Sequence, residues 1–350
     1  ASLPALPTYD SLSSLSHSFA NFFSDKIHKL HTSLLFNHST TSHISPPFTP
    51  PCFSSFAPVT TDDVSNLLSQ SPDTNCDLDP IPTSLLKQCS HALLLTITNI
   101  INLSISTGVF PDQFKSCSVH PHLKKANLDK EDLSNYRPIS HLSFLSKLTE
   151  RVVKLRLTEF LSNNNLLNSF QSAYIKHHST ETALLSVHDH IIKAMSHQQV
   201  TCLTLLDLSA AFDTIDHTIL LERLSAWFGI TSTALSWVKS SLIFSIALST
   251  SASRILYHLF TNFSMVCLKA LFLVLFSSSY TPLLLALSFQ THLQIIIFMQ
   301  MTLNSTCHSL QLISLTTSLF LKQLFQMFPT GCLQIFSHSI LPKLNFSSLV

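Results

Sequence analysis

The stretch LLDLSAAFDTIDH, residues 205–217, sets Asp207 at the end of a hydrophobic run and places Phe212 five residues later. A carboxylate at the end of a strand is the hard oxygen donor that magnesium prefers, together with substrate phosphates. Two magnesium ions held in this way activate a hydroxyl nucleophile and stabilise a departing phosphate. Asp207 is therefore the candidate catalytic residue and metal ligand. The rival use of an aspartate here is a helix cap, but Asp213 and Asp216 stand nearer the helix expected over Thr218–Phe228. Phe212 is equally readable as an ordinary core aromatic.

Such chemistry needs a second carboxylate cluster further along the chain, yet no Asp or Glu follows Glu222. Basic residues are not short. Ten Lys or Arg and five acids lie between Lys115 and Lys176, a balance that suits a polyanion and that a solvated helix face would also give. Within this region HPHLKKANLDKEDLSNYRPIS reads as a hairpin with Lys124, Lys125 and Arg137 around it. The planar fork of Arg137 can hold phosphate oxygens in a way lysine cannot.

The elements that must position these groups follow from periodicity. Leu12, Leu15, Phe19, Phe22, Phe23, Ile27 and Leu30 recur at helical spacing, predicting an amphipathic helix over 10–35. The Ser/Thr/Pro-rich stretch His38–Val59 reads as a flexible linker. Thr60 with Asp63 marks a helix start, and Pro82–Ser106 reads as one long helix closed by Gly108. The run Val200–Leu206 is strand-like and delivers Asp207 at its end.

Composition divides the chain into two texts that join near residue 245. It holds 20 Lys and Arg and 19 Asp and Glu, of which only Arg254, Lys269, Lys322 and Lys343 lie beyond residue 240. Its 3 glycines compare with the roughly 25 that average usage of about 7% would give. The 8 cysteines form no C-x-x-C pair, so neither a zinc site nor a disulfide framework is indicated. The 19 histidines lack ligand spacing, even with His177 and His178 adjacent, and are expected on the surface or in loops. Ala1 is not an initiator, so the chain is expected to be a fragment of something longer. Residues 1–30 lack the basic start and apolar run of a signal peptide, which favours an intracellular location.

LSNYRPISHLSFLSKLTERVVKLRLTEFLSNNNLLNSFQSAY, then HSTETALL, then LLDLSAAFDTIDHTILLERLSAWFGI closely resemble the fingers and first palm motif of reverse transcriptases from non-LTR (LINE-type) retrotransposons. With the N-terminal segment included, the resemblance covers about residues 10–243. It implies an α/β fold of the right-hand polymerase type, with magnesium as cofactor and RNA template, DNA primer and deoxynucleoside triphosphates as partners. No protein partner is implied. Lys124 or Lys125, with Arg137, would approach the incoming triphosphate, Asp207 would bind the metal, and Phe212 would lie under the sugar and reject ribonucleotides.

Two departures stand out. The family has an Arg-Pro-Gly turn before HSTETA, where this chain has Ile175, Lys176 and His177. Losing a turn glycine costs about 1 kcal/mol where positive φ is required. The larger departure is the missing Gly-Val-Pro-Gln-Gly loop and Tyr-Ala-Asp-Asp hairpin. The codons of FMQMT, Phe298–Thr302, read from the third base of each, force Ala and the second Asp and permit Tyr and the first Asp. In the same frame MVCLKALFLV, Met265–Val274, can spell Gly-Val-Pro-Gln-Gly-Ser-Val-Leu-Gly-Pro. A frameshift between about Lys239 and Met265 would explain both. The rival reading of the tail is a membrane span over 266–288, interrupted by Lys269, Tyr280 and Pro282.

The expected architecture is a helix-rich N-terminal region, with a helix and linker over 1–60 and a helical pre-fingers segment over 61–110. Fingers and an incomplete palm follow over 111–243, and an out-of-frame hydrophobic tail without an evolved fold over 244–350. The tail should form poorly ordered helices rather than a hairpin over residues 298–306 set against the Asp207 strand. The expected function is a degenerate, inactive RNA-directed DNA polymerase, the alternatives being a residual nucleic-acid-binding protein or a membrane-anchored one.

Overall fold

A computed structural model describes residues 6–35, 49–73, 76–167, 172, 175–197, 199–207, 217–242, 245–250, 253–257, 284–289 and 292–302. Those within Ala1–Lys29, Ser45–Leu166 and Ile215–Leu271 form one compact unit, and those within Leu30–Ile44, Leu167–Thr214 and Phe272–Val350 form a second.

Helix α1, Leu12–Leu35, opens the first unit with its residues up to Lys29, and the regular spacing of Leu15, Phe19 and Phe23 puts these three in the core. Helix α2, Thr61–Ser69, starts with a capping box: the Thr60 side chain accepts from the Asp63 N–H, and Asp63 accepts from the Thr60 N–H. The long apolar helix expected over Pro82–Ser106 is instead two, α3 at Thr83–Gln88 and α4 at Ser90–Thr107, broken at Cys89. Gly108 ends α4 at φ 71°, as a left-handed cap does. Val64 and Leu68 of α2, Leu86 of α3, and Ile97 and Ile101 of α4 pack with Phe144, Leu148 and Val152 of helix α5, Phe144–Asn163.

The linker expectation is corrected where the structure describes it. Phe53 and Ile230 form a parallel β-bridge, with the Phe53 N–H donating to the Gly229 carbonyl at 2.8 Å and Phe56 buried. Three apolar side chains, Phe53, Phe56 and Val59, anchor a segment whose Ser/Thr/Pro composition suggests a free tether. The Phe56 ring meets Trp237 edge-on at 5.9 Å; Trp237 belongs to helix α8, Ser232–Ser241, which follows helix α7, His217–Phe228. Trp237 is fully buried and donates its indole N–H to Ser104 Oγ at 2.9 Å.

The sheet of this unit runs β2-β1-β4-β5, with β1 Ser116–Leu123, β2 Tyr136–Leu142, β4 Ser245–Thr250 and β5 Ser253–Tyr257. Strands β1 and β2 are antiparallel, and β4 runs parallel to β1 along Ser116–Val119 only. Pro121 lies past that stretch, opposite Pro138, so neither proline leaves a central ladder without a donor. His120 and His141 are half-buried strand residues whose rings meet edge-on at 5.0 Å, which corrects the surface-or-loop expectation for these two. Burial and the neighbouring His120 push the His141 pKa below its ordinary value.

In the second unit helix α6, Thr180–Ser196, begins at a Ser179 capping box and precedes strand β3, Gln199–Asp207. Strand β3 pairs antiparallel with β7, His292–Thr302, which pairs antiparallel with β6, Leu284–Phe289. The expectation of helices in the tail is therefore overturned for its described residues, which form strands. The reason is local: HLQIIIFMQMT is β-branched, aromatic and apolar enough to adopt strand pairing whatever its origin. A hairpin, β6–β7, does lie against the Asp207 strand, but it spans residues 284–302 rather than 298–306. Among the described residues no helix is long and apolar enough to cross a membrane.

Candidate nucleotide and metal sites

The β1–β2 hairpin is built as its sequence suggests. Arg137 stands opposite His122 in the β1–β2 ladder, and the Lys124 N–H closes the next rung onto the Asn135 carbonyl at 2.9 Å. Lys124 and Lys125 thus leave the end of β1 while Arg137 enters β2. The connection is held by its own bonds. Asp132 accepts from the Ser134 N–H at 2.8 Å and hydroxyl at 2.6 Å, Asn135 Nδ2 donates to the Asp129 carbonyl, and the Tyr136 hydroxyl donates to the Lys130 carbonyl. The Ser134 hydrogen bonds hold the Asp132 carboxyl below its ordinary pKa.

Lys124 Nζ donates to the Ser134 carbonyl at 2.7 Å, which aims the ammonium back across the loop. Its pKa is pushed down by partial burial first, then by the charges of Lys26 and Arg137, with Asp132 pulling the other way. Lys87, Lys115, Arg156 and Lys193 form ion pairs; among the described residues Lys26, Lys124, Lys125 and Arg137 do not. The sequence reading missed Lys26. The signal was present in its spacing, since Lys26 lies seven residues after Phe19 and three after Phe23 on the apolar stripe of α1.

Asp207 is the last residue of β3, as expected, and its backbone partner is Gln294. It belongs to the second unit and the hairpin cations to the first. Phe212, Asp213 and Asp216 lie outside the described residues. The donor set does not fit a two-magnesium centre. Strands β6 and β7 contribute no carboxylate, and the chain has no acid after Glu222. Phe298 faces Leu203, four residues short of Asp207, so Phe298–Thr302 lies about 13 Å or more along the strand from it. Among the described residues no group of three or more metal-binding side chains occurs.

The departure at the turn before α6 has a structural counterpart. His177 adopts φ 66°, the left-handed region, between the Ile175 carbonyl and the His178 N–H that bonds to it at 3.3 Å. The positive φ that glycine supplies without strain is thus imposed on a histidine.

Residues 124–265 match the family described as reverse transcriptase (RNA-dependent DNA polymerase). The matched segment is thus similar to reverse-transcriptase sequence, in agreement with the LINE-type resemblance that the motifs carry. The chain is 28% identical over 151 residues to the probable RNA-directed DNA polymerase from transposon BS of Drosophila melanogaster, covering 43% of this chain and 17% of that protein. It is 27% identical over 171 residues to the RNA-directed DNA polymerase from mobile element jockey of the same fly, covering 49% and 19%. Against the probable polymerase from transposon X-element it is 25% identical over 177 residues, covering 49% and 19%. The chain thus spans less than a fifth of each of these relatives' length.

Proposed function

We propose that this chain is a degenerate RNA-directed DNA polymerase of a non-LTR retrotransposon. Its ancestral reaction added deoxynucleotides to a DNA primer on an RNA template, with magnesium as the metal. Residues 111–243 supply the fingers and the first palm motif, with segments 1–60 and 61–110 preceding them. In this reading Lys124, Lys125 and Arg137 receive the triphosphate, Phe212 lies under the sugar, and Asp207 is the surviving metal ligand.

The observation that carries the loss of activity is the acid-free hairpin beside Asp207: strand pairing is present and the carboxylates are not. Asp207 without a second carboxylate cluster supplies too few oxygen ligands to fix two magnesium ions, and losing metal ligation removes several kcal/mol of transition-state stabilisation. The tail over 244–350 is read as out of frame. The family match ends at residue 265, the first of the ten residues whose codons permit the missing glycine loop in the displaced frame. In primer extension on an RNA template, with magnesium or manganese, the purified chain should incorporate nothing, and Asp207→Ala should change nothing. Template-dependent incorporation that Asp207→Ala abolishes would overturn this function.

A second reading is favoured by the unpaired hairpin cations: retained nucleic-acid binding without catalysis. RNA binding that weakens steeply with salt would support it, and no binding at low salt would remove it.

A further inference from the structure

Helix α1 is tied to the hairpin at both levels of its structure. Before the helix, the Thr8 N–H donates to both Glu131 carboxylate oxygens at 3.1 and 3.2 Å, and the Thr8 hydroxyl donates to Oε2 at 2.8 Å. Within it, the Phe19 ring packs edge-on against Tyr136 of β2 at 5.0 Å, with both side chains buried. A residue seven positions on in a helix returns to the same face two turns later, so the face that covers Tyr136 continues to Lys26. Lys26 is exposed and forms no ion pair. Its charge acts on Lys124, as does that of Arg137.

We infer that Lys26 is a third phosphate-binding residue, completing with Lys124 and Arg137 a site for the triphosphate of a deoxynucleotide. This rests on the assignment of Lys124 and Arg137 above. The charges of Lys26 from α1 and Arg137 from the start of β2 both act on Lys124 at the end of β1, against the pull of Asp132, and an anion bound among the three cations turns that cost into attraction. A triphosphate concentrates several charges on adjacent phosphorus atoms and suits a small, fixed patch. A nucleic-acid strand spreads its charges along its length and would engage the three less completely. The contacts from Thr8 and Phe19 fix α1 to the hairpin, so the third cation is held in place rather than recruited.

The test is equilibrium binding of dTTP to the full chain at low salt, with a single-stranded RNA oligomer as the second ligand. Lys26→Gln should weaken dTTP binding about fivefold, the scale of one exposed cation acting on a phosphate. Lys26→Arg should restore it, and Lys193→Gln, the same charge change on α6, should leave it unaltered. If Lys124→Gln and Arg137→Gln weaken dTTP binding and Lys26→Gln does not, the inference fails while the hairpin site stands. If the unaltered chain does not bind dTTP, both fail. Lys26→Gln weakening RNA binding but not dTTP binding would assign Lys26 to the strand and overturn the proposal. Loss of dTTP binding in both Lys26→Gln and Lys26→Arg, with altered circular dichroism, would assign it a structural role and do the same.

Discussion

The β1–β2 hairpin and the β3–β7–β6 sheet are both antiparallel assemblies that present a candidate chemical group at one end. At the hairpin, structure and chemistry agree. Prolines sit where no ladder donor is lost, the connection is closed by its own hydrogen bonds, and Lys124, Lys125 and Arg137 stand at its two ends without forming an ion pair, although Asp132 acts on Lys124. In the sheet they part company. Strand β7 pairs along the whole of β3, but it is composed of Ile, Phe, Met, Gln, Leu, His and Thr and sets Gln294 at the register position of Asp207. Pairing of strands depends on propensity and apolar surface, whereas metal binding depends on particular side chains. A segment can therefore keep the first and lose the second.

The sharpest way to break this contrast is to repair it. Restoring the displaced frame between Lys239 and Met265 should raise primer extension above background. In the repaired chain Asp207→Ala should then lower extension about a thousandfold, equivalent to the several kcal/mol a bound metal supplies. The repaired hairpin must also shift its register, because residues now opposite Leu203 are too far from Asp207 to share a metal ion. Repair that leaves extension at background and untouched by Asp207→Ala would break the contrast.

In the first unit, Gly229→Ala should be the most damaging small change. A methyl group there would lie 2.0 Å from the Pro51 carbonyl oxygen, at φ +66°. A loss of about 2–4 kcal/mol is expected, read as a lower denaturation midpoint. A loss under about 0.5 kcal/mol would mean that the segment around Pro51 moves aside easily and is the loose tether its composition suggests.

Much of the first unit is legible in the sequence because its signals are local. The α1 stripe, the Thr60–Asp63 box, Gly108 as a left-handed cap and the hairpin around Lys124 and Arg137 each depend on residues a few positions apart. What was not legible depends on distant partners. Phe53 and Phe56 find Ile230 and Trp237 far along the chain, and Lys26 is read as part of a site only once Phe19 is seen against Tyr136. The break at Cys89 falls within the polar run Lys87–His91, where no Pro or Gly marks a helix end. The tail's strands are hidden for a different reason: the absence of carboxylates says nothing about strand pairing, and Ile295, Ile296 and Ile297 need no history to form a strand.

The turn before α6 permits a stabilising test. His177→Gly should add about 1 kcal/mol by relieving positive φ, slowing hydrogen exchange in the first turn of α6. Faster exchange would show that the histidine side chain contributes more than its backbone costs. The smallest expected effect is in acid. The Thr60 backbone N–H, opposed by partial burial and aided by the Thr60 hydroxyl and Arg156, holds the Asp63 carboxyl below 3.8. A depressed folded-state pKa contributes stability that is present above that value and lost as pH falls through the folded one. Asp63→Asn should therefore be less stable than the unaltered chain near neutrality and converge with it in acid, once the pH has fallen through the depressed folded-state pKa. A gap that persists at low pH would assign the effect to packing.

The coding DNA from codon 239 to codon 302 tests the central claim most directly. The account predicts that the displaced frame reads Gly-Val-Pro-Gln-Gly from the third base of the Met265 codon and Tyr-Ala-Asp-Asp from the third base of the Phe298 codon, with no stop between them. Stop codons or unrelated residues in that frame at both places would contradict it. The acid-free hairpin beside Asp207 would then need an origin other than a shifted frame.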